Sequence, residues 1–158
     1  FVASPITIRD TTITAERSCI NLGGAACAIS PLTIIDSKLT DTANVALWTQ
    51  GHVIDVRAPA TDSPITITGS TLKTVGTGVV ANGIYYKQAA TDSPITITNS
   101  EVSVKDAVIN YAAGPVTRSD LTVTDSTLTA GTAFEWIILT NSDDESDVEL
   151  SGTWLKRP

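Results

Sequence analysis

The sequence predicts an all-β fold, a parallel β-solenoid of about five to six coils with about three short strands in each. Three observations predict it. Residues 60–68 read ATDSPITIT, and residues 90–98 repeat that string unchanged, thirty positions later. A looser unit recurs six times: an aliphatic residue, any residue, an aliphatic residue, any residue, then Asp, Asn or Gly, then Ser or Thr, any residue, and a third aliphatic residue. The Asp, Asn or Gly falls at the same place in every unit.

The first strand of each unit is marked by two leading aliphatic residues: Ile6 and Ile8, Leu32 and Ile34, Ile65 and Ile67, Ile95 and Ile97, Leu121 and Val123, Val148 and Leu150. Alternation of aliphatic with polar residues, rich in Ile, Val and Thr, is the period-two signature of a half-buried strand and excludes a helical reading. The unit starts lie 26, 33, 30, 26 and 27 residues apart. Such returns suit a chain whose coils stack at the inter-strand distance of about 4.8 Å. The corner follows at Asp10, Asp36, Gly69, Asn99, Asp125 and Gly152. These residue types visit the left-handed αL region at least cost, where a β-branched residue would lose roughly 1–2 kcal/mol. A sharp bend between two strands of one coil is therefore predicted six times. The second strands carry the third aliphatic position: Ile13, Leu39, Leu72, Val102, Leu128 and Leu155. Third strands are predicted at 53–57, 84–87, 108–112 and 136–140, with loops such as 75–83 and 88–93 absorbing the differences in length.

The strings ITITGSTL, ITITNSEV and LTVTDSTL resemble the strand–αL turn–strand corner of parallel β-helices of the pectate-lyase-like type. They are most similar to the passenger segments of autotransporter adhesins, and the resemblance covers nearly the whole chain. It implies a right-handed, single-stranded β-helix on a bacterial cell surface or in the extracellular space, with adhesion, carbohydrate binding and virulence as the functional setting. It specifies architecture more than activity.

Bulk composition agrees with one domain over residues 1–158, since 42% hydrophobic residues can fill a continuous core. The net charge of −7, with ten scattered Lys and Arg, lacks the basic footprint that nucleic acid requires. No run of about 18 apolar residues is present, so no membrane insertion of this segment is expected. The chain starts at Phe1 without Met or a signal-peptide pattern, and is expected to be a fragment of a longer exported protein. Cys19 and Cys27 flank a segment containing Gly23 and Gly24 that is supple enough to close a small disulfide loop, the alternative being two buried thiols. With two Cys and His52 as the only histidine, no metal site and no cofactor are expected.

The resemblance also invites a polysaccharide lyase or hydrolase, whose chemistry needs paired carboxylates or a metal-held acidic cluster beside a base. The nearest assembly here is Asp55 and Arg57 on one third strand, Tyr85 and Lys87 on the next, and Tyr111 above them. Counting back from the repeat starts aligns Asp55, Tyr85 and Tyr111 in one outward column, and Arg57 with Lys87 in another. Only Asp55 supplies a carboxylate, so these five residues read as a non-catalytic binding patch for a glycan or a host surface protein, or else as plain solvated surface. An enzyme fragment is the alternative. A second alternative is an ice-binding protein, because the outward column Thr7, Thr33, Thr66, Thr96, Thr122 and the partial column Thr68, Thr98, Thr124 resemble the ice-binding face of some antifreeze proteins. Arg9 and Ile35 interrupt the second column, and threonine suits exposed strand positions for ordinary reasons. The acidic run Asp143, Asp144, Glu145, Asp147 lacks EF-hand spacing and reads as a solvated loop. Trp48, Phe134, Trp136 and Trp154 are expected in core or end-cap packing. Unpaired strand edges at the two ends make self-association a further expectation.

Overall fold

The computed structural model describes residues 4–23, 27–28, 30–44, 50–76, 80–131, 137–139 and 145–156, with the backbone alone for 27, 28, 138 and 139. Over these residues the chain contains strands and turns and no helix, and every strand pairing is parallel. The first coil comprises β1 (Ile6–Arg9), β2 (Thr12–Ala15), β3 (Ser18–Leu22) and β4 (Cys27–Ala28). The second comprises β5 (Leu32–Ile35), β6 (Lys38–Asp41), β7 (Gln50–Val56) and β8 (Ala60–Thr61). The third comprises β9 (Ile65–Thr68), β10 (Thr71–Thr74), β11 (Val80–Tyr86) and β12 (Ala90–Thr91), and the fourth β13 (Ile95–Thr98), β14 (Glu101–Ser103), β15 (Ile109–Tyr111) and β16 (Val116–Thr117). A fifth circuit contributes β17 (Leu121–Thr124), β18 (Thr127–Thr129) and β19 (Ile137–Leu139), and β20 (Val148–Ser151) and β21 (Trp154–Lys156) begin a sixth.

Successive coils stack into four sheets, ordered β1-β5-β9-β13-β17-β20, β2-β6-β10-β14-β18-β21, β3-β7-β11-β15-β19 and β4-β8-β12-β16. The fold class is the one the sequence predicts, with two differences. About four turns are complete rather than five to six, and each complete turn has four strands rather than three. The extra strand is a two-residue piece inside what the sequence presented as loop 88–93, too short to show a period.

The register puts like on like. In the first sheet Ile6, Leu32, Ile65, Ile95, Leu121 and Val148 form one inward column, and Ile8, Ile34, Ile67, Ile97, Val123 and Leu150 form a second. The second sheet adds Ile13, Leu39, Leu72, Val102, Leu128 and Leu155. In the middle coils these side chains are fully buried. Burying one such aliphatic side chain contributes roughly 1.5–3 kcal/mol, and a one-residue slip would turn the whole set to solvent, so the columns fix the register.

All six expected corner residues have positive φ: Asp10 49°, Asp36 47°, Gly69 59°, Asn99 49°, Asp125 49° and Gly152 56°. A second αL corner, not anticipated from the sequence, lies between the fourth sheet and the next first strand, at Asp62 (50°), Asp92 (50°) and Arg118 (47°). Both corners are tied coil to coil by hydroxyls. At the first, the backbone N–H groups of Thr11, Ser37, Ser70 and Ser100 donate to Oγ of Ser37, Ser70, Ser100 and Ser126, at 3.0–3.1 Å. Each of these serine hydroxyls in turn donates to the carbonyl two residues back in its own coil, at 2.7–2.8 Å. At the second corner the ladder runs from Ser30 N–H to Ser63 Oγ, Ser63 to Ser93, Ser93 to Ser119, and Ser119 to Ser146.

Two substitutions separate the bend from the ladder in one urea series. Asp36→Val should cost about 1–2 kcal/mol while Asp36→Gly stays near neutral. Ser70→Ala, which strips the acceptor from Ser37 N–H and the donor from Thr68 C=O, should cost about 1–3 kcal/mol. Equal stability of the two Asp36 variants, or a Ser70→Ala variant as stable as the parent, would contradict these roles.

Candidate functional site

The longest strands, β7 and β11, lie side by side in the third sheet and carry most of the residues the sequence singled out. Ile54 and Val56 of β7 point inward over Ile84 and Tyr86 of β11. The alternate position forms the column Asn21, Asp55, Tyr85, Asn110. Just beyond the strand ends, Arg57 and Lys87 follow Val56 and Tyr86 in adjacent coils: Arg57 N–H donates to Leu22 O at 3.0 Å and Lys87 N–H to Val56 O at 2.9 Å. Gln88 Nε2 adds a bond to Arg57 O at 3.1 Å.

Three of the five expected patch residues reach the surface. Tyr85 is half-buried, Lys87 is exposed, and the Arg57 side chain is 29% exposed. Asp55 is fully buried, with Oδ2 accepting from Arg57 Nε at 2.7 Å. It therefore orients Arg57 rather than meeting a ligand itself. Tyr111 does not belong to the column at all. It stacks on Tyr86 at 4.8 Å with an interplanar angle of 19°, is 2% exposed, and leaves the outward place to Asn110. The cause is one inserted residue after the third strand. Tyr86 and Ala90 are four positions apart, whereas their partners Tyr111 and Val116 are five apart, so counting back from the next repeat exchanges the two faces.

His52, which the sequence gave no role, completes the cluster. Its ring stacks on Tyr85 at 4.2 Å with an interplanar angle of 11°. Nδ1 lies 3.3 Å from both the backbone N and Nδ2 of Asn82, which places the ring proton on Nε2. Asn82 Oδ1 then accepts from Ala107 N–H at 3.1 Å, linking three coils. Burial pushes the imidazole down to about 4, against the pull of Asp55 and with the help of Arg57 and Arg17. The ring is neutral at physiological pH. Burial also raises the Tyr85 phenol, with Asp55 adding to it.

A further buried ionisable group lies at the end of β6. Asp41 faces inward, fully buried, beside Gly51, where any Cβ would collide with its carboxylate and with Ala43. Asp41 Oδ1 accepts from Ala43 N–H at 3.1 Å, and burial pushes the carboxyl up to about 6. Cys19, on β3, is a free thiol whose Sγ lies 3.9 Å from Ile13 O, rather than half of the expected disulfide. Burial, then Asp41, raises it to about 11. The side chain of Cys27, the expected partner, lies outside the described residues.

The remaining candidates are dispersed. The register aligns Thr7, Thr33, Thr66, Thr96 and Thr122, and beside them Arg9, Ile35, Thr68, Thr98 and Thr124, on the outer face of the first sheet. Of the acidic run, Asp143 and Asp144 lie outside the described residues, and Glu145 Oε2 is 3.5 Å from Arg118 Nη1. Among the described residues no three His, Cys, Asp or Glu side chains come together as a metal site. Trp48, Phe134 and Trp136 also lie outside the described residues. Trp154 does not pack over the core: it is 71% exposed, in register with the outward Thr127.

No family model, no curated protein and no solved structure matches the chain. The likeness to pectate-lyase-like helices and autotransporter passengers rests on the corner pattern alone. Among the described residues no helix is long and apolar enough to cross a membrane.

The two buried titrating groups oppose each other. Asp41 has a folded pKa above its ordinary value, so its contribution is fully present below pH about 4 and is lost as pH rises through about 6. His52 has a folded pKa below its ordinary value, so its contribution is present above pH about 6.5 and is lost as pH falls through about 4. The two contributions run in opposite directions over the same window, so stability should vary little between pH 4 and 6.5. Asp41→Asn should unmask a rise in stability across that window and His52→Gln a fall. Parallel pH–stability curves for parent and variants would refute both assignments.

Proposed function

We propose that the chain is a non-catalytic binding segment of a secreted or surface-exposed protein, which engages an acidic glycan or an acidic patch on a host protein through Tyr85, Arg57 and Lys87. The supporting observation is the register of β7 on β11, which sets Arg57 and Lys87 next to each other beside the Tyr85 ring. Asp55 offsets one of the two cations Arg57 and Lys87, so the strip carries positive charge on a molecule whose net charge is −7. The Asp55–Arg57 bond fixes the guanidinium before a ligand arrives, which lowers the ordering cost of binding. Its remaining N–H groups suit carboxylate or sulfate, and the Tyr85 ring gives apolar area to a sugar face. This reading carries the adhesin resemblance, and with it a bacterial surface or extracellular location.

A fragment of a polysaccharide-cleaving enzyme fits less well, because the one carboxylate in the strip is buried and committed to Arg57. Ice binding has a specific observation in its favour. Thr66, Thr96 and Thr122 beside Thr68, Thr98 and Thr124 make an uncharged block in two-dimensional register. Thermal hysteresis in the purified chain would favour that face instead.

The binding reading is tested on arrays of sulfated and uronate-containing oligosaccharides. Lys87→Glu should weaken the best interaction about tenfold, with no change in melting temperature because Lys87 is exposed, and added salt should weaken the parent as well. Binding unaffected by either change would remove this strip from consideration.

A further inference from the structure

His52 lies on β7, a strand paired on both sides, and its surroundings accept only one placement of the ring proton. Nδ1 receives the backbone N–H of Asn82 at 3.3 Å and faces the Asn82 side-chain nitrogen at the same distance. Turning the Asn82 amide over would present an oxygen to Nδ1 instead. That oxygen is already committed, because Asn82 Oδ1 accepts from Ala107 N–H in the next coil at 3.1 Å. A proton on Nδ1 would therefore point at donors and find no acceptor. The attraction of a cation for the Tyr85 ring face is small beside the cost of burying such an N–H unpaired.

The charged and titratable groups around the ring leave it one alternative partner. From β3 and the residue before it come Ser18, which is in register with His52, and Arg17, whose O accepts His52 N–H at 3.0 Å. From β6 comes Asp41, which lies inward of Gly51, whereas the ring stacks on the outward Tyr85 of β11. From the fourth coil comes Asp106, which accepts the N–H of Ala81. β7 itself carries Asp55, followed just past the strand by Arg57. Asp55 gives Oδ2 to Arg57 at 2.7 Å, and its Oδ1 is buried without a hydrogen-bond partner among the described residues. Asp55 is thus a carboxylate with one oxygen to spare, on the same strand as the ring.

We propose that His52 is the positioning residue of the binding strip and an acid release for it: the neutral ring holds Tyr85 in place, and the imidazolium gives it up for Asp55. This deepens the binding reading above and rests on it. On taking a proton from solvent at Nδ1, the ring leaves Asn82 and turns to Asp55 Oδ1. Asp55 is then shared between two cations, so the Arg57 guanidinium is no longer fixed, and Tyr85 loses the ring on which it is stacked. The strip keeps its positive charge and loses its shape. It continues to attract anions but stops favouring a sugar that carries them. Because burial lowers the folded pKa of His52 to about 4, the holding form prevails above that pH and the released form takes over as pH falls through it.

NMR of the full chain reads the release without any ligand, since His52 is the only histidine. At neutral pH the ring should carry its proton on Nε2. In acid it should titrate with a midpoint of about 4, and the Tyr85 ring signals should move with the same midpoint. A midpoint near the ordinary histidine value, or Tyr85 signals indifferent to the titration, would overturn the proposal. The effect on binding is read as the ratio of affinities for a dextran sulfate oligosaccharide and for a polyvinyl sulfate oligomer of equal charge, both ionised throughout. In the parent this ratio should fall about fivefold between pH 6 and 3.5, as the ring platform is lost. His52→Phe keeps a ring against Tyr85 and cannot titrate, so its ratio should stay high at both pH values. His52→Gln keeps an acceptor for Asn82 and has no ring, so its ratio should stay low at both. Melting curves at each pH identify the variants that are folded, and if His52→Phe is not, the parent and His52→Gln decide. A parent ratio that does not change while NMR shows the release would refute the positioning role. If neither polymer binds at any pH, the binding reading falls and the positioning role with it, whereas the NMR result still decides whether the ring changes partners.

Discussion

A chain that changes direction within two residues, and does so at the same place in every coil, must satisfy two demands at once. The bend requires positive φ, and the backbone N–H that follows it points along the stack, where no strand ladder receives it. The hydroxyl after each αL residue answers the second demand. It accepts the N–H of the coil below and donates to a carbonyl of its own coil, so both polar groups of a buried corner are paired. The residue pair Asp/Asn/Gly then Ser/Thr is thus a single device, the first member for the dihedral and the second for the hydrogen bonds. Everything else in the register follows from its repetition.

With the corners aligned, the side chains between them have no freedom of phase. Two residues before the bend an aliphatic group must face inward, and the residues flanking it must face outward, in every coil. The first and second sheets are therefore the uniform part of the molecule, with aliphatic columns inside both and threonines predominating on the outer face of the first. The second αL corner works by the same pairing with a looser choice of residue. Arg118 accepts the strained dihedral there, and its guanidinium holds Asp92 in the coil below through two bonds of 2.7 Å. An exposed pair of this kind is weakened by solvent screening, so it offsets part of the strain and no more.

The legibility of the fold tracks this division. Strands β9 and β10 have the limits their alternation gives them, and all six first corners were readable because chemistry restricts the choice to three residue types. Arg118 hid the second corner, although Asp62 and Asp92 stand at it within the repeated string. The candidate site was less legible, since it lies where loop length varies. One inserted residue between Tyr111 and Val116 was enough to send Tyr111 to the core and Asn110 to the surface, and nothing in periodicity locates such an insertion. Asp55 stands at an outward position of the strand, yet it is buried beneath the surroundings that hold Arg57. Strand parity tells which way a side chain leaves the sheet, not what lies over it.

The third sheet is also where the molecule departs from its own rules. Its two longest strands carry a neutral His52 stacked on Tyr85 and a buried Asp55 bonded to Arg57, and Asp41, the last residue of β6 in the neighbouring second sheet, is enclosed beside Gly51 of β7. Each costs free energy that an aliphatic residue at the same place would not, because a buried ionisable group must be paired or neutralised. The uniform columns of the first two sheets provide the stability that makes such departures tolerable. A fold whose local choices agree everywhere else, and conflict in one connected strip, concentrates its individuality in that strip. The same reasoning sets the threonine face apart from it: threonine there is what strand preference alone would choose, whereas the His52, Asp55, Arg57 and Tyr85 cluster is not.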